Sequence, residues 1–82
     1  LNPTVSIEIH GHVNIREEGE GEAKKLSKQR AMMVEKYLVE NGISANRLFP
    51  IGFGDSKPVY ANPQNEEQKE ANRRVEILIK SN

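Results

Sequence analysis

Arg30 carries the most chemistry to explain, because it is a permanent cation inside the apolar arc of the one long helix this sequence supports. From Glu22 to Asn41, turning about 100° per residue, Leu26, Ala31, Met33, Val34, Tyr37 and Leu38 fill one continuous arc. Arg30 falls within it, between Leu26 and Val34. A guanidinium keeps its charge in a protein, so it must reach out to the rim, pair with a carboxylate or hold an anionic ligand. For an arginine taken alone, the rim reading is favoured, since unpaired buried charge is rare.

Three other groupings could do chemistry. His10 and His12 lie two apart on one face of an alternating segment, with Glu8 beside them, and three such donors could hold zinc. That face is polar and no fourth ligand presents itself, so no metal is expected. Gly52-Phe53-Gly54-Asp55 is glycine-rich but lacks the Gly-Lys-Ser/Thr ending of a phosphate loop, and turn chemistry accounts for it. Asn72-Arg73-Arg74 is a small basic cluster without the interleaved aromatics of a nucleic-acid surface. Neither histidine has a spaced serine partner, and cysteine is absent, so an enzyme is not expected and no cofactor is implied.

The elements that must position these residues follow from periodicity. Thr4 to His10 alternates, with Val5, Ile7 and Ile9 on one face. Gly11 to Gly21 is a glycine-rich loop. The helix of Glu22 to Asn41 follows, with Glu20 and Glu22 near its positive end and Gly42 placed to end it in a Schellman turn closed by Ile43. After a turn at Ser44-Ala45-Asn46, Arg47 to Phe53 is a second strand and Gly54 to Pro63 a loop. Asn65 to Asn72 is a short polar helix, and Arg74 to Lys80 a last strand with Val75, Ile77 and Ile79 on one face.

Strand, helix, strand implies a parallel crossover, and the last strand adds to the same sheet. The expected fold is α+β: a two-layer sandwich with a βαβ(α)β core and helices on one face of a small mixed sheet. Val5, Ile7, Ile9, Val34, Leu38, Val75, Ile77 and Ile79 are its expected core. Two helices over three strands make a small sandwich, which points to a further strand and helix upstream or from another chain.

In order and spacing, four blocks resemble the OmpA-like peptidoglycan-binding domain of bacterial envelopes. They are Ile9-His10-Gly11-His12-Val13-Asn14, Leu26-Ser27-Lys28-Gln29-Arg30-Ala31, Ile51-Gly52-Phe53-Gly54-Asp55-Ser56-Lys57-Pro58 and Asn72-Arg73-Arg74-Val75-Glu76-Ile77. The resemblance spans nearly all of the chain. It implies a non-catalytic module that anchors an envelope protein to peptidoglycan by gripping the free amino-acid end of diaminopimelate in the wall peptide. Carried over residue by residue, Arg30 forks onto the ligand carboxylate, Asn14 stands where the family has an aspartate for the ammonium, Leu26 and either Arg73 or Arg74 line the site, and Asn72 satisfies backbone groups. A histidine at the His12 position goes without a metal in that family.

Two departures matter. Asn14 accepts a hydrogen bond but brings no charge, and a charge-assisted bond is roughly twice as strong as a neutral one. Ala23 stands where the family commonly has an asparagine. Glu17 and Glu18 are the acids available in the loop to replace the missing carboxylate. The alternative reading is an OmpA-like interaction or assembly module that has lost peptide binding.

Composition sets outer bounds. Eighty-two residues form at most one domain, 1–82, and with 29% charged and 5% aromatic residues its core must be thin and aliphatic. Twelve bases balance twelve acids, which argues against capture of nucleic acid or of an acidic membrane. The family implies a fragment of a larger, membrane-anchored protein in the periplasm at the outer membrane, lacking its first strand and helix, with homo-oligomers open.

Overall fold

The computed structural model describes residues 5–14 and 20–80. In chain order the elements are β1 (Ser6–Gly11), α1 (Glu20–Glu40), a 3-10 turn (Ala45–Arg47), β2 (Leu48–Gly52), α2 (Glu66–Asn72) and β3 (Val75–Lys80). The sheet order is β2-β1-β3. β1 pairs parallel with β2, Ile9 opposite Pro50, and antiparallel with β3, Ile9 opposite Ile77. This is the mixed α+β sheet expected from the periodicities.

α1 packs over β1 and β2. Along β1 the residues Ile7, Ile9 and Gly11 are buried and alternate with half-buried Ser6, Glu8 and His10. Ile7, Ile9, Ala31 and Leu48 form the core, with Val34, Leu38, Ile43 and Val75 packed against it. The helix comes very close to the sheet. A Cβ built on Gly11 would stand 1.9 Å from the Ser27 carbonyl oxygen, and one on Gly52 would stand 2.6 Å from the Lys28 nitrogen. Glycine at both strand ends and small Ala23, Ser27 and Ala31 on the helix make that approach possible.

The helix ends as its sequence demands. Gly42 takes φ +98°, its N–H donates to Val39 O at 3.0 Å, and the Ile43 N–H donates to Leu38 O at 3.1 Å. Those are the two bonds of a Schellman turn. Among the described residues, no helix is long and apolar enough to cross a membrane.

Part of the expected core is corrected. Ile77 and Ile79 lie directly opposite Ile9 and Ile7, so they share the helix-side face, yet they are 53% and 60% exposed. The reason is coverage: α1 sits over β1 and β2 and leaves the β3 flank open. Val5 is only half-buried. The same offset exposes Met33 (73%) and Tyr37 (64%), while the buried line on α1 runs through Ala23, Ser27 and Ala31.

Candidate functional site

Because β1 and β2 are parallel, their carboxyl ends open at the same end of the sheet, where α/β sheets place binding sites. Hydrogen bonds knit the segments there. Phe53 N–H donates to Gly11 O at 3.0 Å, Val13 N–H to Gly54 O at 3.0 Å, and His12 N–H to Arg74 O at 2.8 Å. Ser27, fully buried, ties the helix in. Its Oγ donates to Lys24 O at 2.9 Å and accepts the Gly54 N–H at 2.8 Å.

Arg30 stands one turn further along α1, half-buried. Its Nη1 donates to the His12 carbonyl at 3.3 Å. Among the described residues it has no carboxylate partner. Leu26, a turn earlier, is also half-buried. Glu17 and Glu18 lie outside the described residues.

Asn14 is buried, and its Oδ1 accepts a 2.8 Å hydrogen bond from Asn72 Nδ2. Asn72, at the end of α2 and wholly buried, also accepts from Tyr60 N–H at 2.9 Å and donates to Tyr60 O at 3.0 Å. One amide therefore pins the 54–63 loop, α2 and the start of the loop after β1 together. α2 starts cleanly because Asn65 caps it, its side chain accepting from Gln68 N–H at 2.9 Å.

The two arginines after Asn72 have different jobs. Arg73 pairs with Glu70, and its Nη1 lies 3.7 Å from Glu66 on α2. Arg74 donates to Glu76 at 2.6 Å and to Lys57 O at 2.9 Å, so it braces the loop against β3.

On the sheet face away from α1, His10 stands directly opposite Glu76 in the β1–β3 register. His10 Nε2 bonds Glu8 at 2.8 Å, and His12 Nε2 lies 3.6 Å from Glu76 Oε1. Phe53 walls this cluster. Its ring stacks on His12 at 5.3 Å and 9° and meets His10 at 4.7 Å, with the Lys57 ammonium 4.5 Å from its own centroid. Burial pushes the His12 imidazole below its usual value, and the Arg74 charge adds to that. The hydrogen bond from Arg74 holds the Glu76 carboxyl below the ordinary range, as the one from His10 does for Glu8.

Sequence reasoning named Arg30, Asn14 and the role of Asn72 in satisfying backbone groups, but missed Ser27 and Glu76. Alternation put Glu76 on the polar face of its strand. Only the register, which nothing local encodes, places it opposite His10.

The profile of the OmpA family matches residues 1–73. The chain belongs to the OmpA family. Among OmpA-type relatives, outer membrane porin F of Pseudomonas fluorescens is 33% identical over 79 residues, covering 96% of this chain and 24% of that protein. The peptidoglycan-binding protein ArfA of Mycobacterium tuberculosis is 34% identical over 77 residues, 94% of this chain and 23% of that protein. This chain thus spans about a quarter of those relatives. The peptidoglycan-associated lipoprotein of Burkholderia pseudomallei has the same fold, with a TM-score of 0.87 at 24% identity, covering 95% of this chain and 64% of that one.

Proposed function

We propose that this OmpA-family domain binds peptidoglycan non-covalently and without catalysis, tethering a larger, membrane-anchored envelope protein to the wall on the periplasmic side of the outer membrane. The ligand is the free amino-acid end of diaminopimelate, with Arg30 forking onto its carboxylate. Leu26 and Arg73 flank the site, and Asn14 accepts from the ammonium. Arg30 carries the reading: a half-buried guanidinium at the carboxyl end of β1, with no acid partner among the described residues. Such a group is poised for an external carboxylate. The name of the ArfA relative adds support for the ligand class.

A second reading, an assembly module without wall-peptide binding, is favoured by Asn14. That side chain is buried and its oxygen already serves Asn72, so a ligand ammonium would have to share it.

Titration of three proteins with a diaminopimelate-containing muropeptide separates the two. The parent should bind weakly, and Asn14→Asp should tighten binding by on the order of 1 kcal/mol, the gain from a neutral to a charge-assisted bond. Arg30→Ala should abolish binding with the fold intact. A parent as tight as Asn14→Asp would assign the acid's role to Glu17 or Glu18. No binding by any of the three, together with no retention on purified sacculi, would leave the assembly module.

A further inference from the structure

The sheet face opposite α1 holds a group with an unexplained need. His12 is 2% exposed, and neither of its ring nitrogens has a hydrogen-bond partner among the described residues. Buried polar groups are nearly always satisfied, and leaving one unpaired costs about 1–3 kcal/mol. The nearest polar groups are the ones a cation would want. One donor atom from each of His10, His12 and Glu76 lies within 4.8 Å of the others.

Although the sequence alone gives no reason to expect a metal and the family's histidine at the His12 position goes without one, β3 brings Glu76 to His10 and His12, and we propose that these three form a binding site for a borderline divalent cation of the zinc class. Two imidazoles and one carboxylate suit zinc, cobalt or nickel better than calcium or magnesium, which require mostly oxygen donors. Ligand atoms about 2.1 Å from a tetrahedral ion stand roughly 3.4 Å apart, so the widest separation must close by up to about 1.4 Å. His12 Nε2 and Glu76 Oε1 are already 3.6 Å apart, and the Glu76 side chain is half exposed.

The surroundings are also built for a ligated imidazole. Glu8 holds the His10 ring through a 2.8 Å bond, the carboxylate–imidazole pairing that commonly orients metal-bound histidines. Phe53 covers both rings and limits water on that side. Arg74 works against the ion: its Nε holds the second Glu76 oxygen at 2.6 Å, and it places a positive charge beside the site. Lys57, 4.5 Å from the Phe53 centroid, adds another. The fourth position of a tetrahedron is left to solvent, as in open three-ligand sites.

The test is independent of wall binding. Untagged, chelator-stripped protein is titrated with zinc sulfate by calorimetry and with cobalt chloride by visible absorption. The expected result is one saturable equivalent per chain, cobalt bands of a tetrahedral site, and a raised melting temperature with zinc. His10→Ala and Glu76→Gln should each weaken binding at least about tenfold, the scale on which even supporting residues matter. Arg74→Gln, by removing the competing cation, should tighten it. Absence of saturable binding to the parent would overturn the site and leave His12 to a buried water only. So would affinity unchanged in both His10→Ala and Glu76→Gln, which would place the ion elsewhere. Because His12 is fully buried, the test avoids replacing it.

Discussion

The two flanks of the sheet carry nearly the same apolar pattern and meet opposite fates. On β1, Ile7 and Ile9 are sealed under α1; on β3, Ile79 and Ile77 stand directly across from them on the same face and are more than half exposed. Alternation is clean in β1, and in β3 only Leu78, on the opposite face, interrupts it. The difference lies in what sits above. α1 is drawn onto β1 and β2 by the glycines at their ends, where its backbone takes up the room a Cβ would need. A helix held that close to one pair of strands cannot also cover the third, so Met33 and Tyr37 stay exposed with Ile77 and Ile79.

That contrast can be tested at single residues. The largest effect is expected at Gly11. In Gly11→Val the new Cβ meets the Ser27 carbonyl oxygen at 1.9 Å, a backbone group that cannot step aside. The cost should exceed the usual ~1–3 kcal/mol of overpacking, and circular dichroism should show a chain that fails to fold at 37 °C. If Gly11→Val melts like the parent, α1 is not seated on the strand ends.

Ile9→Ala removes a side chain with no exposure, and about 2–5 kcal/mol should be lost in urea unfolding. Ile79, across the ladder from Ile7 on the uncovered flank, gives the smallest effect. Ile79→Thr keeps a β-branched side chain at an exposed position, so it should fall within about 0.5 kcal/mol of the parent. A cost at Ile79 matching that at Ile9 would mean that something covers the β3 flank in solution, and the comparison between the flanks would collapse. The sharper form is the ratio of the two losses measured under one set of conditions, because differences in burial are more trustworthy than absolute sums.

The site shows the same division between what is local and what is not. Arg30 could be singled out because a permanent cation inside an apolar arc is anomalous on any helical wheel. Asn14 and Asn72 became interpretable through the spacing of the blocks around them. The Asn72–Asn14 hydrogen bond spans 58 residues of sequence separation, and no local pattern could have announced that these two amides satisfy each other. Glu76 is the clearest case. As a residue of an amphipathic strand it looks like one more solvated acid, yet pairing β3 antiparallel with β1 sets it opposite His10 and within 3.6 Å of His12.

Periodicity by itself determined the order and kind of the elements, the parallel crossover, the Schellman end of α1 at Gly42 and which face of each strand is apolar. These are short-range consequences of side-chain spacing, backbone conformation and local hydrogen bonding, so they are written along the chain. Only the tertiary structure decided how closely α1 approaches, which of the apolar strand faces it covers, and which polar side chains meet across the ladder. Those outcomes depend on contacts between residues far apart in sequence. A helical wheel fixes the angle at which a side chain leaves its helix, but not the distance to whatever lies beneath it.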